Sequence, residues 1–196
     1  GDVYKRQVVN GIVAVENLKR NDTAKAGDVL ILTKPIGVGI LATAQKKELI
    51  NEQDLSKLLK QLTTINKAGE ALGKIKGVHA MTDVTGFGLL GHLHEMMEGS
   101  NLQANISYEQ IPIIEEARTY IAQKAIPDAT SRNWNAYSKE VKFEPGVNVM
   151  EAFQLLPDPQ TNGGLLIAVD PAALNEVQKA LKEAGIEYTD PIGHCV

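Results

Sequence analysis

Apolar and polar positions along the chain alternate between two periods. Val8 to Val15 (VVNGIVAV) and Asp28 to Leu32 (DVLIL) are short apolar or β-branched runs between turn residues, which predicts strands. Lys34-Pro35 ends the second of them. The spacing of Ile40, Leu41 and Ala44 predicts a short helix over Gly37 to Lys47. Leu55, Leu58, Leu59, Leu62, Ile65, Ala68, Leu72 and Ile75 keep a 3–4 spacing, so one long helix is expected from Asp54 to Ile75. Further on, Gly77 to Thr82 reads as a strand, Gly88 to Met97 as a helix and Leu102 to Tyr108 as a strand. Ile113 to Gln123 and Val149 to Leu156 read as helices, and Gly164 to Val169 as a strand. A helix over Ala172 to Gly185 and a strand from Ile186 onward close the pattern. Ala125 to Asn148 keeps no period and carries Pro127, Pro145 and Gly146, so a long loop is expected there, a feature usually functional or disordered. Strands and helices thus alternate without a repeat or a second composition regime. The expected fold is α+β, one mixed β-sheet with packed helices, because several connections are too short for parallel crossovers.

Composition narrows the function. At 196 residues and 43% hydrophobic content, the chain suits one fair-sized domain that folds without disulfides or metal. A net charge of -4, with Lys and Arg spread along the chain, lacks the clustered basic face of a nucleic-acid binder. The apolar runs fall short of the ~18 to 20 residues that span a bilayer. The one cysteine, Cys195, has no internal partner, which points to a reducing cytoplasmic setting. Gly1 to Gln7 (GDVYKRQ) fits no pattern that follows and stays unassigned, as an artefactual end or part of a fragment boundary.

The chemistry concentrates in Ala80 to Leu93 (AMTDVTGFGLLGHL), a strand end, a glycine-bearing turn and a helix start. Asp83 stands near the strand end between Thr82 and Thr85, while Gly86 and Gly88 let the backbone turn and approach a ligand. Unpaired N–H groups at the following helix start suit a phosphate, and a carboxylate beside them suits Mg²⁺ bridging nucleotide phosphates. The same residues also make a plain strand-to-helix corner with Asp83 capping the turn; spacing alone leaves both readings open. Leu155 to Val169 (LLPDPQTNGGLLIAV) is a tight turn into a buried strand, and its backbone N–H groups and Thr161 are candidates to face the Asp83 corner. Arg132 is a candidate anion contact, and Trp134 a candidate to pack over it or over a nucleotide, beside the plainer reading of a solvated loop with one aromatic anchor. His92 and His94 lie two apart, which on a helix separates them and excludes a metal pair. Met96 and Met97 read as filler, and Cys195 with His194 as a stray thiol and its neighbour.

Taken together and in this order, VLILTKPIGVGILATAQKKEL (Val29 to Leu49), the Asp83 corner, the Arg132-Asn133 loop and the PQTNGG turn resemble the C-terminal domain of selenophosphate synthetases. The likeness runs from about Val8 to near the end, with TDVTGFGLLGHL as its most specific part. Looser versions of the glycine turns belong to the wider aminoimidazole-ribotide synthetase superfamily. The resemblance implies an enzyme that converts selenide, ATP and water to selenophosphate, AMP and phosphate, with Mg²⁺ as cofactor. It implies a full-length homodimer joined through an N-terminal ATP-binding domain, which carries the nucleophilic Cys or selenocysteine and its Lys. That domain is absent from the present chain, so residues 8–196 are expected to be inactive alone and to hold no catalytic residue. Among site residues the resemblance carries over Asp83 as a metal ligand. Cys195 matches no catalytic position, and Asn162 stands where the family motif usually reads PQTSGG. Two alternatives remain: a domain of another ATP-binding enzyme of that superfamily, and a stand-alone binding module without chemistry.

Overall fold

The structure is a computed structural model that describes residues 11–196. The GDVYKRQ opening and the first part of the expected Val8 to Val15 strand lie outside the described residues. Its remainder forms no strand: residues 11–14 are irregular and Val15–Asn17 is a single 3₁₀ turn.

The elements follow in the order β1 (Val29–Leu32), α1 (Val38–Lys46), α2 (Glu52–Thr63), α3 (Ala68–Lys74), β2 (Val78–Asp83), α4 (Gly88–Ser100) and β3 (Ala104–Ile106). After these come α5 (Glu116–Ala122), α6 (Asp128–Tyr137), α7 (Val149–Leu155), β4 (Leu165–Val169), α8 (Leu174–Glu183) and β5 (Pro191–Cys195). The strands form one sheet in the order β2-β4-β1-β5-β3, and its pairings are antiparallel. Parallel pairing is confined to an isolated bridge between Ile36 and Ile113. The α+β expectation describes this architecture.

Both faces of the sheet are covered, which explains why β4 reads LLIAV with no polar alternation. Leu30, Leu32, Ala80, Leu166 and Ala168 point into a core shared with Ile40 and Leu41 of α1, Leu89 and Met96 of α4, and Ala117 and Tyr120 of α5. Ile31, Val78, Leu165, Ile167 and Val169 point the other way, onto Ala68 and Leu72 of α3 and Val177 and Leu181 of α8. The central strand pair keeps this alternation in register, with Val29 opposite Val169 and Leu32 opposite Leu166.

Two further expectations fail, each for a tertiary reason. The single helix over Asp54 to Ile75 is two helices, because its apolar stripe serves two cores. Leu58 of α2 enters the first core, whereas Ala68 and Leu72 of α3 enter the second across the sheet edge. The break falls at the β-branched run Thr63-Thr64-Ile65, a poor helix former. Its carbonyls are taken from outside the helix: Asn162 Nδ2 donates to Leu62 O at 2.9 Å and Thr64 O at 2.8 Å, and Lys34 Nζ to Thr64 O at 2.6 Å. Second, the expected loop from Ala125 to Asn148 contains α6. Pro127 starts the helix and Asp128 follows in its first turn, a favourable opening that a polar sequence without period conceals. Burial of Thr130 and Asn133 then fastens it to the rest of the molecule.

Candidate functional site

Strand β2 ends at Asp83, whose partner across the sheet is Leu165, so the carboxylate stands on the rim and is exposed. Among the described residues no hydrogen bond or ion pair engages that carboxylate. The chain then turns through Val84-Thr85-Gly86-Phe87. Gly86 is exposed with open space around its Cα, and the amides of Gly86 and Phe87 donate to no acceptor among the described residues. Gly88 is different. It is buried at φ +69°, and a Cβ there would stand 2.6 Å from the Pro157 carbonyl carbon and 2.7 Å from Leu156 O. Its close backbone approach is therefore to the chain itself. The start of α4 is likewise partly capped from within, since Leu90 N–H donates to Leu156 O at 2.9 Å and Gly88 N–H to Thr85 O at 3.0 Å. Among the described residues the open donors are the amides of Gly86 and Phe87 on the corner and that of Leu89 in the first turn of α4.

The PDPQTNGG segment is clipped to this corner by its backbone. Gln160 N–H donates to Thr85 O at 2.9 Å, and Val84 N–H donates to Gly164 O at 2.8 Å. Gly163 sits so near that a Cβ would lie 2.1 Å from Val84 O. Thr161 is exposed at the tip of the loop. From α6, the buried Asn133 amide donates to Gly86 O at 2.8 Å and to Pro157 O at 2.9 Å, bridging the two motifs. The same segment reaches α1: Gly39 N–H donates to Asp158 Oδ2 at 3.0 Å and Val38 N–H to Gln160 Oε1 at 3.2 Å. All four sequence segments that carry the family likeness thus meet at one end of the sheet.

Neighbouring polar groups are tuned by burial. His92 Nε2 lies 3.0 Å from Thr85 Oγ1 on the inner side of the corner. Desolvation pulls its pKa down against the opposing charges of Glu95 and Asp83, so the ring is neutral near pH 7. Glu95 Oε2 is 3.7 Å from His92 Nδ1, beyond hydrogen-bond distance, and Nδ1 has no partner among the described residues. Burial also pulls the Lys34 ammonium down, although Nζ donates to Thr64 O and to Asn162 O at 2.9 Å. Asp158 is fully buried, and desolvation pushes its carboxyl up to about 8 against the hydrogen bonds it accepts from Gln160 and the start of α1.

Other candidates stand apart. Arg132 is exposed, and Trp134 turns to aromatic neighbours instead, stacked on Phe143 at 6.0 Å and edge-on to Phe153 at 5.1 Å. His94 packs on Tyr137 while His92 faces the interior, as their two-residue spacing implies. Met96 and Met97 are core residues. Cys195 is buried in β5, and burial with the nearby Asp28 charge raises its thiol to about 11, unreactive at neutral pH. Asn133, Asp158 and Gln160 lie inside family-like segments, but the sequence alone assigned none of them a role. For Asp158 and Gln160 the one signal is polar side chains set among prolines, and Asn133 carries none beyond its place beside Trp134; neither reveals a partner.

An antiparallel sheet covered on both faces, with a glycine corner clipped to a second glycine loop, defines a known domain class. The chain belongs to the family of AIR synthase related proteins, as their C-terminal domain, matched over residues 25–196. Within reach of that class, it is 48% identical over 179 residues to the selenide, water dikinase of Cronobacter sakazakii, covering 91% of the chain and 50% of the relative. It is 47% identical over 188 residues to the selenide, water dikinase of Escherichia coli K12, covering 96% of the chain and 53% of the relative. The chain therefore spans about half the length of the curated relatives it matches. Among solved structures, the hydrogenase maturation protein HypE in complex with ATP superposes with a TM-score of 0.66 at 16% identity, over 93% of this chain and 46% of that one. Thiamine-monophosphate kinase from Stenotrophomonas maltophilia K279a gives 0.63 at 18% identity, over 94% and 52%. At such identity these two share the fold.

Proposed function

We propose that this chain is the C-terminal part of a selenide, water dikinase, an enzyme of the cytoplasm that makes selenophosphate from selenide and ATP with release of AMP and phosphate. The observation that carries the reading is near-half identity to named selenide, water dikinases over almost the whole chain. The likeness to HypE and thiamine-monophosphate kinase fits any member of the superfamily, and its far lower identity favours none of them. In this reading the chain works joined to an N-terminal ATP-binding half that supplies the nucleophile, and the full-length enzyme is a homodimer.

Within the chain, Asp83 is the residue that would hold Mg²⁺. Its exposed, unpaired carboxylate is a hard oxygen donor, and the neighbouring open amides of Gly86 and Phe87 suit phosphate oxygens, so the residues present fit the group. When bound, Mg²⁺ neutralises charge on the nucleotide phosphates. The chain's own share is to fix where that carboxylate stands: β2 ends it on the rim, Gly88 turns the backbone away, and Asn133 with the PDPQTNGG loop holds the corner still. Asp83→Ala in the full-length protein is expected to abolish Mg²⁺-dependent ATP turnover while the circular dichroism and melting curve stay unchanged. Wild-type turnover by a folded Asp83→Ala protein would remove the assignment.

A further inference from the structure

A continuous hydrogen-bond path runs from the start of α1 to the Asp83 corner through two buried side chains. Asp158 Oδ2 accepts from Gly39 N–H at 3.0 Å and from Gln160 Nε2 at 2.9 Å. Gln160 Oε1 accepts from Val38 N–H, and Nε2 also donates to Asp158 O at 2.7 Å. The backbone N–H of Gln160 then donates to Thr85 O, the same oxygen that accepts from Gly88 N–H. Asp158 and Gln160 are 0% and 3% exposed, so water cannot replace either partner without opening the loop. No room exists for slack: a Cβ on Gly39 would lie 2.6 Å from Asp158 Oδ1.

We propose that Asp158 is a positioning residue for the Asp83 corner, acting through Gln160 to lock the PDPQTNGG loop between α1 and Thr85. Oδ2 takes both donors that meet hydrogen-bond geometry, while Oδ1 has no such partner among the described residues, although the Ile40 amide also lies close to the carboxylate. What the lock needs is therefore an acceptor at Oδ2 and not a negative charge. A carboxamide keeps that acceptor, and an alanine removes it. The consequence for catalysis rests on the Mg²⁺ role proposed above for Asp83; the lock itself does not.

The test is amide hydrogen exchange on the 196-residue chain, followed residue by residue by NMR. In Asp158→Ala the amides of Gln160 and Gly88 should exchange roughly tenfold faster, the scale expected when a buried donor loses its acceptor. Asp158→Asn should keep wild-type exchange there. Gln160→Met, which preserves bulk and removes the polar link, should behave as Asp158→Ala, and it carries the test if the alanine variant does not fold. Faster exchange at Leu41 of α1 with Gln160 and Gly88 unchanged would confine Asp158 to capping a helix and overturn the proposal. In the full-length protein, the Mg²⁺ concentration for half-maximal ATP turnover should rise in Asp158→Ala and Gln160→Met and stay at the wild-type value in Asp158→Asn. If wild-type protein shows no such turnover, the proposed function fails while the exchange result still decides the lock.

Discussion

Asp83 and Asp158 are both carboxylates in family-like motifs, yet position gives them opposite physics. Asp83 sits on the sheet rim in water, free to meet a cation. Asp158 is buried, and desolvation raises its pKa from 3.8 to about 8. The raised value has a sign that can be checked. Between these two pH values the unfolded chain has released a proton that the native chain keeps, so the stability contribution is full below about 4 and is lost as pH rises toward about 8. Urea midpoints of the wild type are expected to decline over that window more steeply than those of Asp158→Asn, which has nothing to titrate. Equal slopes would show that Asp158 is ionised throughout. Neither the burial of Asp158 nor its partners is legible in PDPQTNGG, because they depend on where α1 comes to rest. The exposure of Asp83 was more readable, as it follows a short strand and precedes glycines.

At the scale of elements, the informative case is α6. Its sequence has no apolar stripe because it packs through a few specific contacts. Asn133 caps two carbonyls from two different motifs, Trp134 joins Phe143 and Phe153, and Tyr137 meets Phe87 edge-on at 6.3 Å. Periodicity finds helices that bury a continuous face, and it is blind to one held by a polar clamp. Asn133→Ala would leave Gly86 O and Pro157 O without their buried donor. A loss of about 1–3 kcal/mol is expected, measured by urea unfolding, together with faster exchange at the corner. Asn133→Asp should not rescue it, because a carboxylate has no N–H to donate. The split of the long apolar stripe into α2 and α3 has the same lesson. Spacing located the inward leucines Leu55, Leu58, Leu62 and Leu72, but it also placed on the stripe Leu59 and Ile65, which are 49% and 71% exposed, and it does not say that the stripe changes partner at Thr63–Thr64.

The whole molecule is a two-sided sheet, and the proposed site lies on one rim. On that rim the Asp83 carboxylate is exposed, and among the described residues no group of three or more His, Cys, Asp or Glu side chains could hold a metal ion. In the proposed reading Asp83 is one ligand, and the others come from phosphate, water or an N-terminal half. The purified 196-residue chain is therefore expected to release neither AMP nor phosphate from Mg-ATP. Steady turnover would mean that it carries a site of its own and would favour a free-standing enzyme. Among the described residues no helix is long and apolar enough to cross a membrane.

Local chemistry determined much of this in advance. Short β-branched and leucine runs commit to strands because their side chains suit a pleated, buried surface, and glycines mark the turns, Gly88 by its positive φ and Gly163 by the close approach of Val84 O. The alternation of those elements was sufficient for the α+β class, and the motif wording for the family. Tertiary structure alone decided which face each residue serves, that the expected long loop is a helix, and that PDPQTNGG, α1, α6 and the Asp83 corner converge. Those outcomes rest on contacts between residues far apart in the chain, such as Val38 with Gln160, 122 positions away, and no local pattern encodes a partner that distant.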